Sequence, residues 1–431
     1  MKLFNKLVRM LEIIFYLISF QINVINCQQY VPMKRAFHTA TLVEKKIYFL
    51  GGFTELSIYT NDFFTLDVSK SFNQSEGCPF EDLNHLSASV VPEHNRATTS
   101  VGGISKDTFF LFGGDMGSQS KYASEVLQSF NTSKQVWQYV TINSGEEPLR
   151  RTSMNAVTDN NGKVYLYGGV KELVPIQYFN TMDTFDTVNK IWFSIDYDIT
   201  LTPRDGYTAT YIPDSGVIIY IGGFGRNFYP YITSGLLDMG NIDIYDTVRN
   251  NWRKQPTKNP PKSRVFHTAI LTNDKRIIIF GGADNTTKHP AETYYEVLDV
   301  NTYQWYHSNK DIYIRAPYKG HTATLVGDHM LIAFGFVYTK EGNVLSDEIL
   351  IYKIGDYADF DQVENLSQSP SEPPATEPPA TESSPQDTKH IKLVIIIAIV
   401  SSILGFIIII IAAFIIYKRY KKHVKSILFI E

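Results

Sequence analysis

The chain's most repeated chemistry lies in three histidines and five arginines, which recur at matched places. His38, His267 and His321 each stand three residues after a basic or aromatic residue, at the head of a short alternating stretch. Imidazoles at one repeated position could converge on a metal ion. Thr99, Met154 and Tyr207 hold that place in other copies, so strand packing is the favoured reading. Arg35, Arg96, Arg151, Arg204 and Arg264 lead the stretches RAFHTATL, RATTSV, RTSMNAV, RDGYTAT and RVFHTAI. One acid per repeat follows further on, at Asp62, Glu125, Asp183, Asp243 and Glu296, which favours one ion pair per repeat. No P-loop, nucleophile elbow or HExxH occurs, and no catalytic or metal constellation is recognised. The chain has two cysteines, Cys27 and Cys78, which excludes a CxxC site or a disulfide framework.

The elements that must position these residues are set by a repeat. Apolar strands end in paired glycines at Gly51–Gly52, Gly113–Gly114, Gly168–Gly169, Gly222–Gly223 and Gly281–Gly282. A sixth copy, AFGF, reads as Gly335 followed by Phe336 in place of the second glycine, with Tyr318 in the arginine position. The first glycines lie 62, 55, 54, 59 and 54 residues apart, a period that signals a propeller or solenoid. After each pair a turn residue precedes a tryptophan by six positions: Asn131 and Trp137, Asp186 and Trp192, Asp246 and Trp252, Asp299 and Trp305. Each unit supplies about four short strands, and one such sheet cannot bury both faces alone. The glycine pair provides positive φ and close backbone approach; the tryptophan fills the space between neighbouring sheets.

These marks resemble the kelch repeat over about 325 of the 431 residues. The resemblance implies an all-β fold, a six-bladed kelch-type β-propeller. It also implies that Arg35, Arg96, Arg151, Arg204 and Arg264 could form a basic collar at the channel mouth, against the ion-pair reading above. A copper oxidase of the galactose-oxidase branch is disfavoured by the scarcity of cysteine; a sugar epimerase on such a propeller would need only a few Arg and Glu. Repeat one lacks the tryptophan, and repeat six lacks a clear outer strand. Residues near Gln28–Met33 are expected to supply that strand and close the ring.

Composition agrees with sheet: 27 Tyr, 27 Phe and 13% aromatics overall. A net charge of −4 argues against a nucleic-acid partner. The ends carry apolar runs. Lys2, Lys6 and Arg9 precede an apolar stretch that reads as a signal peptide over 1–27. From Leu393 to Tyr417 run 25 residues without a charge, long enough to span a bilayer, followed by the basic KRYKKHVK. The expected domains are therefore a signal at 1–27, a propeller at 28–356, a Pro/Ser/Thr/Glu-rich stalk at 357–390, a transmembrane helix at 391–417 and a cytoplasmic tail at 418–431. Sequons at Asn73, Asn131, Asn285 and Asn365 fall on the outer side of this topology.

The expected function is binding: a single-pass plasma-membrane protein whose propeller, on the extracellular or lumenal side, takes a protein or glycan ligand and no cofactor. The alternative is a membrane-tethered carbohydrate-active enzyme. The most individual loops are Gly225–Gly240, with Phe228, Tyr229 and Tyr231 as candidate ligand contacts, and Thr54–Tyr59.

Overall fold

The computed structural model describes residues 30–117, 127–171, 176–195, 201–226 and 234–367. The proposed contacts Phe228, Tyr229 and Tyr231, the signal, most of the stalk, the membrane helix and the tail lie outside them. Among the described residues no helix is long and apolar enough to cross a membrane.

Six four-stranded antiparallel sheets follow one another along the chain, at 39–82, 98–139, 156–195, 208–256, 268–307 and 322–363. In the first, Thr39–Val43 pairs with Lys46–Leu50, then Phe63–Asp67, then Phe80–Asp82. Inner strands touch in cyclic order, the sixth returning to the first, so the sheets close into a propeller. Burial follows from this arrangement. Second strands such as VIIYI at Val217–Ile221 are buried throughout, because both sheet faces are covered by neighbours. The outer strand Asn251–Pro256, by contrast, has no buried residue.

Each tryptophan packs backwards onto the preceding sheet. Trp137 lies 5.3 Å from Phe63, Trp192 6.1 Å from Phe112 and Trp252 4.8 Å from Tyr167. Trp305 is fully buried against Ile219 and Ile221. In the first sheet Phe80 stands in the tryptophan register, opposite Leu66 as Trp137 is opposite Phe130. The turn residues act as expected: Asp186, Asp246 and Asp299 each accept backbone N–H bonds from two and three residues on.

The seams are joined by the glycine pairs. The second glycine of each donates its N–H to a carbonyl of the next repeat: Gly52 to His94, Gly114 to Arg151, Gly169 to Arg204, Gly223 to Arg264 and Gly282 to Tyr318, at 2.6–3.0 Å. Gly335 completes the ring by donating to the Arg35 carbonyl at 2.8 Å. Gly335 is thus the second glycine of its pair, and Phe334 stands where the first should be, at φ 58. This corrects the reading of AFGF as a copy that lost its second glycine. At the other seams a Cβ has no room: at Gly168 it would lie 2.6 Å from the Arg204 carbonyl oxygen. At the closing seam the Phe334 ring is fully buried, 5.1 Å from His38 and 5.6 Å from Phe49.

Closure also differs from expectation at the sixth sheet. Its outer strand is Phe360–Val363, from the same repeat, and not Gln28–Met33. Its aromatic residue, Phe360, comes two positions before the tryptophan register and packs on Tyr295 and Tyr352 at 4.4 and 5.5 Å. Asn365–Leu366 then pairs with Phe72–Asn73 of the first repeat. The ordered sheets therefore extend past Asp356 into the expected stalk. The apolar content of FDQVENL, with Phe360 and Leu366 both buried, explains why.

Candidate functional site

The arginine position and the residue two places later form separate rings. Residues 35, 94, 151, 204, 264 and 318 are all buried, and their carbonyls receive the glycine bonds described above. His94, not Arg96, occupies this position in the second repeat. The five-residue turn 103–107 between that sheet's first two strands is longer than the others and hides the two-residue shift.

The buried arginines hold carboxylates. Arg35 pairs with Asp62 at 2.9 Å, Arg151 with Asp183, Arg204 with Asp243, and Arg264 with Glu296 at 3.8 Å. Burial lowers the pKa of Arg35, Arg151 and Arg264, and the facing acid opposes that shift. In three sheets an outer-strand side chain also reaches the same acid: Ser194 to Asp183, Lys254 to Asp243 and His307 to Glu296. Glu125 lies outside the described residues. None of these four arginines lines the axial cavity, so the open collar of five that the resemblance implied does not form, and the favoured ion pairs do.

Inside this ring runs a girdle of hydrogen bonds, one or more across each seam. Thr41 donates to Thr99 at 2.7 Å, and Thr98 and Asn155 accept from the backbone N–H groups of Ala156 and Ala209 at 3.0 and 2.8 Å. The histidines serve the other three seams. His267 bonds Thr208, His321 bonds Thr268 and His38 bonds Thr322, at 3.0–3.1 Å. Burial first, and neighbouring cations or imidazoles second, hold His267 near pKa 3 and His38 well below its ordinary value; burial also brings His321 to about 4. These imidazoles are neutral cross-links, and among the described residues no group of three or more His, Cys, Asp or Glu is disposed to hold a metal.

The second ring opens the cavity. Phe37, Arg96, Ser153, Gly206, Phe266 and Gly320 all have positive φ, between 53 and 68. Their backbones bond in series: Phe37 N–H to Gly320, Arg96 to Phe37, Ser153 to Arg96, Gly206 to Ser153 and Phe266 to Gly206, at 2.7–3.1 Å. This left-handed turn sets all six residues around an axial cavity of about 230 Å3, walled by the inner-strand threonines and histidines. The Phe37 ring lies 5.5 Å from Phe266 and 6.0 Å from Phe336, and the Arg96 guanidinium sits 5.1 Å over it. Lys319 lies 5.4 Å from the Phe336 ring, and burial together with Arg96 lowers its pKa. Aromatic faces with two cations at a narrow polar opening suit binding of a chain or group that is part apolar and part anionic. The adjacent loop exposes Leu56 and Ile58.

The model of the KLHDC2/KLHL20/DRC7 Kelch-repeats domain matches residues 79–257 and 231–384, more than two-thirds of the chain together. The chain belongs to the kelch-repeat family. Kelch domain-containing protein 3 of Bos taurus is 27% identical over 257 residues, covering 58% of this chain and 64% of its own. Adagio-like protein 1 of Oryza sativa subsp. japonica is 26% identical over 211 residues, covering 46% and 30%. This kelch chain thus spans less than two-thirds of the length of either relative. The solved structure of YjhT superposes with a TM-score of 0.55 at 16% identity, covering 77% of this chain and 98% of that one, a likeness of fold.

Of the proposed contacts among the described residues, only Arg96 lines the kelch channel mouth. Phe37, Phe266, Phe336 and Lys319 went unnoticed. For Phe37 and Phe266 the available signal was position: two residues after each seam carbonyl the chain turns left-handed, so a large residue there faces the axis.

Proposed function

We propose that this kelch propeller is a protein-binding scaffold, carried on the outer side of a membrane by the apolar segment 391–417, and that its ligand engages the channel mouth. One observation carries the reading. Phe37 and Phe266 are only partly buried at the mouth of a polar cavity beside Arg96, with the half-buried Phe336 and Lys319 packed next to them. A folding core has no need of aromatic rings there, whereas binding surfaces favour aromatic and arginine side chains. The uncharged 25-residue run and the basic residues after it support the membrane placement.

The test is capture by the full chain in detergent micelles on arrays of ectodomains and glycans. A protein ligand bound by the wild type and lost in Arg96→Ala and Phe37→Ser, with melting unchanged, supports the mouth. Equal capture by all three forms, or capture of glycans alone, overturns it. The triple replacement of Phe228, Tyr229 and Tyr231 with Ser asks whether these residues share the contact.

A further inference from the structure

We propose that Asn365 is a glycan acceptor and that Asn73, in a matching sequon, stays unmodified because its amide closes the propeller; this rests on the outer-side placement proposed above. The two sequons, Asn73-Gln74-Ser75 and Asn365-Leu366-Ser367, lie 292 residues apart yet meet as cross-strand partners where Phe72–Asn73 pairs with Asn365–Leu366. The pairing is fixed from below. Phe72 and Leu366 are buried in one cluster with Cys78, and the Gln74 N–H donates to the Glu364 carbonyl at 2.8 Å.

The amides of this clasp are not equivalent. The Asn73 Oδ1 accepts from the Ser75 backbone N–H at 2.8 Å and from its hydroxyl at 2.6 Å. Those donors settle which branch of the amide is oxygen. Its Nδ2 therefore faces across the strand and donates to the Asn365 Oδ1 at 2.9 Å. Asn365, in turn, presents its oxygen inward, and its Nδ2 occupies the other branch of an exposed side chain.

Glycan transfer joins an amide nitrogen to the anomeric carbon of a lipid-linked oligosaccharide; the diphosphate leaves with the bonding pair and the nitrogen gives up one proton. A sugar on the Asn365 Nδ2 leaves its oxygen free to accept from Asn73. A sugar on the Asn73 Nδ2 instead enters the space of Asn365, since cross-strand Cβ atoms stand only about 5 Å apart. Asn131 is committed in a different way. It is the turn residue of its sheet, with Oδ1 accepting from the Lys134 N–H at 2.7 Å and Nδ2 donating to Thr108 at 3.0 Å.

The experiment is site-by-site occupancy by mass spectrometry after enzymatic release in heavy-oxygen water. The full chain is expressed in a secretory eukaryotic cell, once with its own N-terminus and once behind a heterologous secretion leader. Asn365 occupied and Asn73 empty in the leader-driven protein supports the proposal. Asn73 occupied on folded molecules, or Asn365 empty, overturns it. Glycans appearing only behind the heterologous leader would sink the outer-side placement and leave the asymmetry standing. A second comparison reads the hydrogen bond directly. Asn73→Asp, which removes the donor, should lower Tm by about 2 °C, and Asn365→Asp, which keeps the acceptor, should leave it within about 0.5 °C. Equal shifts in the two variants overturn the assigned orientation.

Discussion

Two rings of six residues, offset by two positions in every repeat, surround the propeller axis and do different work. The outer one, at 35, 94, 151, 204, 264 and 318, is 0–4% exposed and hands its carbonyls to the glycines of the preceding sheet. The inner one, at 37, 96, 153, 206, 266 and 320, shares a positive φ and turns its side chains to the channel mouth. Four of the six outer-ring residues are arginine, and His94 and Tyr318 are large side chains too, because each member must fill the same kind of interior space. In the inner ring the residues range from glycine to phenylalanine to arginine, since only the backbone is constrained. Within one motif, uniform residues serve the fold, and those free to vary are placed to serve recognition.

The comparison breaks most sharply at an outer-ring arginine. Arg151 and Asp183 are both almost fully buried, and the guanidinium also donates to the Gly168 carbonyl at 3.0 Å. Arg151→Ala leaves a buried carboxylate without its cation, and we expect it to cost about 3–5 kcal/mol in urea unfolding. Replacing Asp183 with Leu in the same chain should recover a good part of that loss. A single variant as stable as the wild type would mean that this ring is not structural.

Acid should find the girdle between the two rings. His38, His267 and His321 have folded pKa values below the ordinary 6.5, chiefly from burial. Above that value neither folded nor unfolded imidazole is charged, and these residues contribute no pH dependence. As pH falls below 6.5 the unfolded chain takes up protons first, so stability declines until the folded imidazoles titrate, near 3 for His267 and 4 for His321. Each histidine adds up to about 1.4 kcal/mol per pH unit in that window. His267→Met, which imitates the third repeat, should flatten the profile by one such increment. A slope identical to the wild type's between pH 6 and 4 would remove His267 from the account.

A smaller effect separates the ordinary seams from the closing one. Gly168→Ala places a Cβ at positive φ and 2.6 Å from the Arg204 carbonyl oxygen, at a cost of about 2 kcal/mol by thermal melting. Phe334 tolerates the same left-handed conformation because its seam is built around the ring, with His38, Phe49 and Phe64 packed against it. Phe334→Gly should therefore destabilise, although it restores the residue found at every other seam.

Much of this was legible from residues. Paired glycines, turn acids and tryptophans gave the repeat and its count, because each answers a local constraint that recurs unchanged. The ion pairs of Arg35, Arg151, Arg204 and Arg264 followed from matching one acid to one arginine. Register was harder to read. Arg96 looked like a fifth member because it is an arginine at nearly the right distance from a glycine pair, and turn length is invisible until strands are paired. The sixth sheet's outer strand was missed for a related reason: FDQV carries no tryptophan, and only the buried ring of Phe360 marks it as core. At the channel mouth Arg96 was named but its aromatic neighbours were not, since Phe37 and Phe266 resemble any strand aromatic until the backbone is seen to turn there.

The smallest stability effect is expected where the inner ring carries its charge. Arg96 stacks on Phe37, a contact worth about 0.5–1 kcal/mol at a partly exposed site. Arg96→Ala should therefore melt within a degree or two of the wild type, far from the loss expected at Arg151. Its effect on ligand capture should be the reverse, a fall of about tenfold or more, while conservative changes in the outer ring that preserve the fold leave capture intact. Arg96→Lys refines the contrast. An ammonium keeps the charge but lacks the planar face that stacks on the ring, so partial capture would assign the guanidinium's role to stacking as well as charge. Full capture by Arg96→Ala would return this residue to the structural class and leave the aromatic rings to carry recognition alone.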